Sequence, residues 1–354
     1  MNARQIASLR MANQQIESSA CTTPSEVVGH LTAVQAQDYR GALWSIGLRL
    51  PGSTVAQVER AIAERTIVRT WPMRGTLHFV AAVDVRWMLR LLTPRVIRGT
   101  AGRERQLELD EAVFARSSKV FERALRDGEV LTRAEMYDAL ERARISTASQ
   151  RGIHILLRLS QQGLLCFASH KGNQPSFALL DEWIPASRTL ERVEALAELT
   201  ARYFRGHGPA TVRDFAWWAG LTLAEARAGI AAAAQELASE TMRGVEYLVS
   251  RDGPAVAAAK RAVHLLPGFD EYLLGYTDRS VALDPAHASS VVPGNNGMFM
   301  PTIVAGGRVV GTWKAVATNG NATVKFAPFG ALSARDASAA AAAAKRYGRF
   351  VLRD

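Results

Sequence analysis

Gln35 and Gln37 stand one residue apart in the run TAVQAQDYRG, Thr32 to Gly41. An amide side chain neither gives nor takes a proton at any useful pH; it offers one carbonyl acceptor and two N–H donors. Side chains two positions apart diverge by about 200° around a helix but share a face in an extended segment. A joint role for the pair therefore requires the chain to leave the helix after VVGHL. Ala36, and Asp38 beyond it, would then point the other way. Taken alone, the spacing is a very weak signal, and two solvated polar residues are the ordinary expectation.

Three other clusters carry residue types suited to chemistry. RTWPMRGTLHF, Arg69 to Phe79, places Arg69, Arg74 and His78 around Trp71, with Thr76 and His78 on one strand face. Arginines there would meet phosphate, or His78 would be an interior, satisfied histidine. LLPGFDEYLLGYTDR brings Asp270, Glu271, Asp278 and Arg279 close in sequence. Paired carboxylates in a cleft do acid–base work, whereas a loop held by Asp–Arg pairing needs the same residues. Gln150, Arg151 and His154 open a helix where base-edge contacts would fall, or else form its solvated face.

The chain has 354 residues, 48% hydrophobic and 21% charged, enough for two or three globular domains. It contains no apolar run near membrane-spanning length, and MNARQIASLRMANQQ lacks a secretion signal, so a cytoplasmic location is expected. Cys21 and Cys166 form no CxxC, and none of the seven histidines shows HxxxH spacing, so neither a disulfide framework nor a metal or other cofactor is expected. The net charge of +10 favours a polyanionic partner. Only six of the 43 basic residues are lysines, which leaves 37 arginines, the side chain whose fork matches phosphate and guanine edges.

Element order organises the rest. LTRAEMYDALERAR is an amphipathic helix with Thr132 as N-cap, TASQRGIHILLRLSQQG a second helix ending at Gly163, and LLCFAS and SFALLDEW two strands. Helix, helix, hairpin is the order of a winged helix. The same order recurs after LERVEALAELTARYFRGHG, where TVRDFAWWAGLTLAEARAGIAAAAQEL reads as two helices broken at Gly220 and Thr222, followed by the strand VEYLVS. A more degenerate copy uses SEVVGHLTAVQAQ and TVAQVERAIAE with the strands TIVRTW and GTLHFV. Two helical stretches, AVDVRWMLRLLTPRVIRG and EAVFARSSKVFERALRDG, bridge the first two copies; a β meander with turns at AGGR and TNGNA and a closing helix finish the chain. The expected fold is mainly α with small β-hairpins and a C-terminal β region (α+β). The expected units are 1–128, 129–187 and 188–354.

The set VQAQD, VRTWPMRGTLHFV, GPATVRDFAWWAGL, LLPGFDEYLLGYTDR and VVGTW, in this order over nearly the whole chain, resembles the AlkZ/YcaQ family of bacterial winged-helix DNA glycosylases. The resemblance implies tandem winged helix-turn-helix units in a C-shaped arrangement. Gln35-Ala36-Gln37 resembles the Gln–apolar–Gln motif of the AlkZ-like branch, where the other branch carries Asp at the last position. It implies Gln35 and Gln37 as catalytic residues. Arg40, Arg69, Arg74, His78, Gln150 and Arg151 are the residues expected to face DNA. The implied substrate is double-stranded DNA with N7-alkylated guanine, including bulky natural-product adducts and interstrand crosslinks, in repair or toxin self-resistance; the chain is expected to act as a monomer. That substrate gives two amides a use. Alkylated guanine is cationic and leaves as a neutral base, so no general acid is needed. What remains is to hold a water and to support positive charge on the sugar with carbonyl dipoles. A non-enzymatic winged-helix regulator would instead depend on its recognition helices and have no need of the glutamines.

Overall fold

The computed structural model describes residues 1–253, 262–318 and 321–352. It is mainly helical with small antiparallel sheets, an α+β fold. Packing divides the chain into two compact units, residues 60–195 and a discontinuous unit of residues 1–59 and 196–354. Among the described residues no helix is long and apolar enough to cross a membrane.

In the unit of residues 60–195, Thr132 caps the Arg133–Arg142 helix in a reciprocal box with Glu135, which satisfies two backbone donors at once. The Arg151–Gln161 helix follows, and Gly163 at φ +84° turns the chain into the antiparallel strands Leu165–Phe167 and Ser176–Leu179. Leu131 and Thr132 pair back onto Phe177 and Ser176, closing the winged helix. The Ile67–Met73 and Thr76–Ala81 strands form a hairpin whose loop is only Arg74 and Gly75, both at positive φ, the two-residue geometry that matches strand twist. The strand order from this hairpin outward is Thr76–Ala81, Ile67–Met73, Leu165–Phe167, Ser176–Leu179, Leu131–Thr132. The two expected bridging helices are Val85–Gln106 and Glu111–Ala124, and Phe114 and Phe121 of the second join Met136, Leu140, Ile155 and Leu159 in this unit's core.

The discontinuous unit repeats the grammar. Ala210 bridges to Leu248, Thr211 caps the Val212–Ala219 helix, Gly220 at φ +71° ends it, and Thr222 starts the Leu223–Ala232 helix. That helix is shorter than expected. The alanine run has the highest helix propensity of any residue type, yet the chain turns at Ala234–Glu236 and enters a strand, Leu237–Met242, paired with Val245–Ser250. Hairpin pairing outweighs local propensity there. Near the N-terminus a helix that the sequence reading passed over, Tyr39–Leu48, lies between the glutamine run and the Val55–Ala63 helix. Its Ala42 through Leu48 are all buried, so it shows no amphipathic stripe.

The C-terminal meander is present as Thr302–Ala305, Arg308–Thr318 and Asn321–Pro328, joined on its other edge by Val263–Leu266. The AGGR turn uses Gly306 and Gly307 at positive φ; the tip of TNGNA, residues 319–320, lies outside the described residues. The closing Ala334–Val351 helix lies against Tyr39–Leu48: Trp44 meets Tyr347 edge-on at 5.2 Å and Phe350 at 5.1 Å, and Arg346 donates to Leu48 O. Trp44 and Trp313 donate their indole N–H groups to the neighbouring carbonyls of Leu265 and Leu266, each at 2.8 Å. Gly47 makes this contact possible, because a Cβ there would stand 2.2 Å from the Phe350 ring. Gly47→Ala should therefore cost about 1–3 kcal/mol in urea unfolding through overpacking, and Phe350→Leu in the same chain should return part of that loss.

Candidate active site

The Pro24–Leu31 helix stops at Thr32, which sits at φ +69°, a conformation that β-branched residues rarely adopt. Val34 and Gln35 are extended, and Asp38 takes the N-cap position of the next helix. The glutamine run thus leaves the helix after VVGHL, which is the geometric condition for the two amides to act together. Their exposures differ. Gln35 retains 8% of its surface and Ala36 none, while Gln37 is exposed. The Gln35 Oε1 atom is buried and meets no protein donor. Asp38 folds over its own helix, with Oδ2 only 2.5 Å from where a Cβ on Gly41 would lie.

Beneath Gln35 lies Glu271, fully buried. Its Oε1 accepts the Gln35 backbone N–H at 3.4 Å. Its Oε2 accepts Trp218 Nε1–H at 2.8 Å and stands 3.3 Å from His207 Nε2. His207 stacks on Tyr203, ring centroids 4.9 Å apart and planes 8° off parallel. Next in sequence, Asp270 caps the short Glu271–Leu274 helix through Tyr272 N and takes both arms of Arg49, at 2.8 and 2.9 Å. Ser45 donates to the same carboxylate at 2.8 Å. Arg49 also donates to Gln14 O and Oε1, while Gln14 Nε2 donates to Tyr276 OH and Glu271 O. Burial alone would push the Asp270 carboxyl up; the charge and hydrogen bonds of Arg49, with Tyr272 N–H and Ser45, outweigh it and hold it below the ordinary carboxylate value.

These contacts decide how the FDEY carboxylates work. Both are interior groups with their oxygens engaged by the protein, so they hold the structure together. The arginine that pairs with Asp270 is Arg49, not the nearby Arg279, whose guanidinium donates to Leu273 O and lies over Phe299.

Arg40 is exposed in the same unit as Gln35 and Gln37. The remaining expected DNA-facing residues belong to the other unit. Arg69 is buried with its guanidinium over the Phe167 ring, and His78 is buried with Nδ1 2.9 Å from Thr76 O. Arg74, at the hairpin tip, reaches His78 Nε2 at 3.3 Å and keeps part of its surface. Gln150 accepts from Arg103 at 3.0 Å, while Arg151 donates to the carbonyls of Ser146, Leu107 and Glu108. His154 is partly buried, and burial followed by the charge of Arg103 lowers its pKa. Arg49, Gln14, His207 and Trp218 had no role in the sequence reading. Trp218 and Glu271 stand in quoted motifs, but no spacing announces partners so far apart in the chain. Among the described residues no three His, Cys, Asp or Glu side chains gather as a metal cage.

The family model of AlkZ-like DNA glycosylases matches residues 28–350. A Streptomyces sahachiroi protein described as an interstrand DNA cross-link repair glycosylase is 30% identical over 335 residues, covering 88% of each chain. The solved structure of the S. sahachiroi DNA glycosylase AlkZ superposes with a TM-score of 0.83 at 27% identity, over 100% of this chain and 98% of that one. The chain belongs to the AlkZ-like DNA glycosylase family.

The buried pair has a measurable signature. Arg49→Met strands the Asp270 charge and should cost about 3–5 kcal/mol in urea unfolding, with part regained in Arg49→Met/Asp270→Leu. Because the folded-state pKa of Asp270 is depressed, its contribution is present above the unfolded value of about 3.9 and is lost as pH falls through the lower, folded value. Asp270→Asn should therefore flatten the acid limb of the stability-versus-pH curve.

Proposed function

We propose that the chain is a monofunctional glycosylase that acts as a monomer on double-stranded DNA and hydrolyses the N-glycosidic bond of N7-alkylguanine, interstrand crosslinks included. The crosslink reading draws support from the cross-link repair activity named for the S. sahachiroi relative. One observation carries the site assignment. Gln35 Oε1 is a buried acceptor with no protein donor, an arrangement that costs about 1–3 kcal/mol unless a donor arrives. The donor this reaction brings is a water aimed at C1′. Gln37, one residue on and exposed, meets the incoming DNA.

The chemistry follows from charge. The N7-alkylated base already carries the positive charge that an acid would otherwise supply, so departure leaves it neutral. Positive charge then develops on the sugar, where preoriented carbonyl dipoles stabilise it without the cost of a buried free carboxylate. The neighbouring carboxylates do not compete for this role: Asp270 and Glu271 are engaged in the interior. A crosslinked guanine is tethered to the opposite strand and cannot be fully extruded, so attack takes place with the lesion still in the duplex. In this reading the chain is three winged-helix units with limits near 128 and 187, and its exposed arginines, Arg40 among them, hold phosphates. A sequence-reading regulator is the weaker account, because Arg151, at the head of the recognition helix, already serves three backbone carbonyls.

Single-turnover excision on an N7-methylguanine duplex tests the site. Gln35→Ala and Gln37→Ala should each slow base release about 10- to 1000-fold with DNA affinity nearly unchanged, and the double variant should lose less than the product of the two. Wild-type rates in both singles would remove the glutamines from the mechanism. Binding to undamaged duplex, titrated at several salt concentrations, should weaken steeply with salt and vary little with sequence. A flat response would favour a non-electrostatic partner.

A further inference from the structure

We infer that Glu271 is a positioning residue for base excision: its carboxylate holds the backbone N–H of Gln35 and so fixes where the Gln35 carbonyl points. This rests on the proposed catalytic role of Gln35 and adds the group that aims it. Glu271 has no exposed surface, so the role assigned to it is positioning and not contact with DNA or the reacting atoms.

A carboxylate with no exposed surface is expensive to bury, and a hydrophobic side chain of similar volume would pack the same space. What a carboxylate supplies is acceptors on both oxygens. Here the donors come from three distant segments: Gln35 N–H on Oε1, and Trp218 Nε1–H and His207 Nε2 on Oε2. His207 Nδ1 is buried without a partner, so the ring proton belongs on Nε2, facing Glu271. The backbone N–H and the indole N–H are obligate donors. No neutral side chain of this shape satisfies both, since an amide must turn its NH2 toward one of them.

Glu271 is itself immobilised. Its carbonyl accepts Gly275 N–H at 2.8 Å and Gln14 Nε2 at 3.3 Å, and Asp270 before it is clamped by Arg49. The segment it holds is short. Val34–Gln35 is a strand of two residues, entered from Thr32 at positive φ and left through an Asp38 that makes no side-chain capping bond. A rigid carboxylate below a short extended segment is a device for holding one carbonyl in place.

The test compares Glu271→Gln, Trp218→Phe and the double variant in single-turnover excision on an N7-methylguanine duplex, with DNA affinity and folded fraction measured alongside. Glu271→Gln should keep DNA affinity within about twofold and lose excision by about 100-fold per folded molecule, the size expected of a misplacement near 1 Å. Trp218→Phe removes the indole donor from Oε2, leaving His207 Nε2, and should excise within a few-fold of wild type. The double variant should be faster than Glu271→Gln, because with the indole gone the His207 ring proton can move to Nδ1, Nε2 then accepts the amide NH2, and Oε1 returns to Gln35. A merely structural role predicts the reverse: stability losses that accumulate, with unchanged excision per folded molecule. That outcome overturns the inference. If Gln35→Ala itself excises at the wild-type rate, the underlying assignment fails; if Gln35→Ala is slow and Glu271→Gln is not, only the positioning role fails. Should Glu271→Gln not fold, amide exchange in the wild-type protein decides. Slow exchange at Gln35 supports the bond, and exchange as fast as in an exposed loop removes it.

Discussion

The bidentate ion pair between Arg49 and Asp270 is the constraint on which the site depends. Both side chains are almost completely buried. Such a pair is tolerable only when its remaining donors and acceptors are used, and here they are: Arg49 also serves Gln14 and Ser45, and Asp270 also serves Tyr272 N–H. The pair joins the helix that follows the glutamine run to the loop that carries Glu271. Arg49 is the C-cap of one element and Asp270 the N-cap of the other. Two helix ends are thereby locked in register, and the extended glutamine segment is held between a fixed helix start and a fixed carboxylate.

This arrangement separates two kinds of polar group. The carboxylates sit inside, each oxygen satisfied by protein donors. At the proposed reaction centre stand neutral amides, one with its carbonyl left unsatisfied by the protein. For a cationic leaving base the division is physically sensible. A free carboxylate near the duplex would be desolvated at high cost and repelled by phosphates, whereas an amide dipole provides directed negative potential without net charge.

The local signals in the sequence were the reliable ones. Thr132 with Glu135 and Thr222 with Glu225 mark helix starts three residues apart, and Gly163 and Gly220 mark helix ends at positive φ, because capping is chemistry among near neighbours. The extended conformation at Gln35 followed from requiring two alternate side chains to act together. The Tyr39–Leu48 helix was illegible because burial on all sides erases periodicity, and the early end of the Leu223–Ala232 helix because hairpin pairing outweighed an alanine run. The support beneath Gln35 was hidden for a different reason. Glu271 lies 236 residues from Gln35 and 64 from His207, and a contact between such positions has no signature within either segment. His78 shows the limit of type alone: beside two arginines it reads as a phosphate contact or an interior group, and only burial identifies it as interior.

The central claim is that neutral amides suffice because the departing base carries the positive charge. Wild-type protein should be incubated under single-turnover conditions with two duplexes identical except that one carries N7-ethylguanine and the other O6-ethylguanine, and abasic sites counted over time. The alkyl group is the same, and only the first lesion makes the base cationic. The account predicts abasic sites from the N7 lesion and none above background from the O6 lesion; release of both at comparable rates would contradict it.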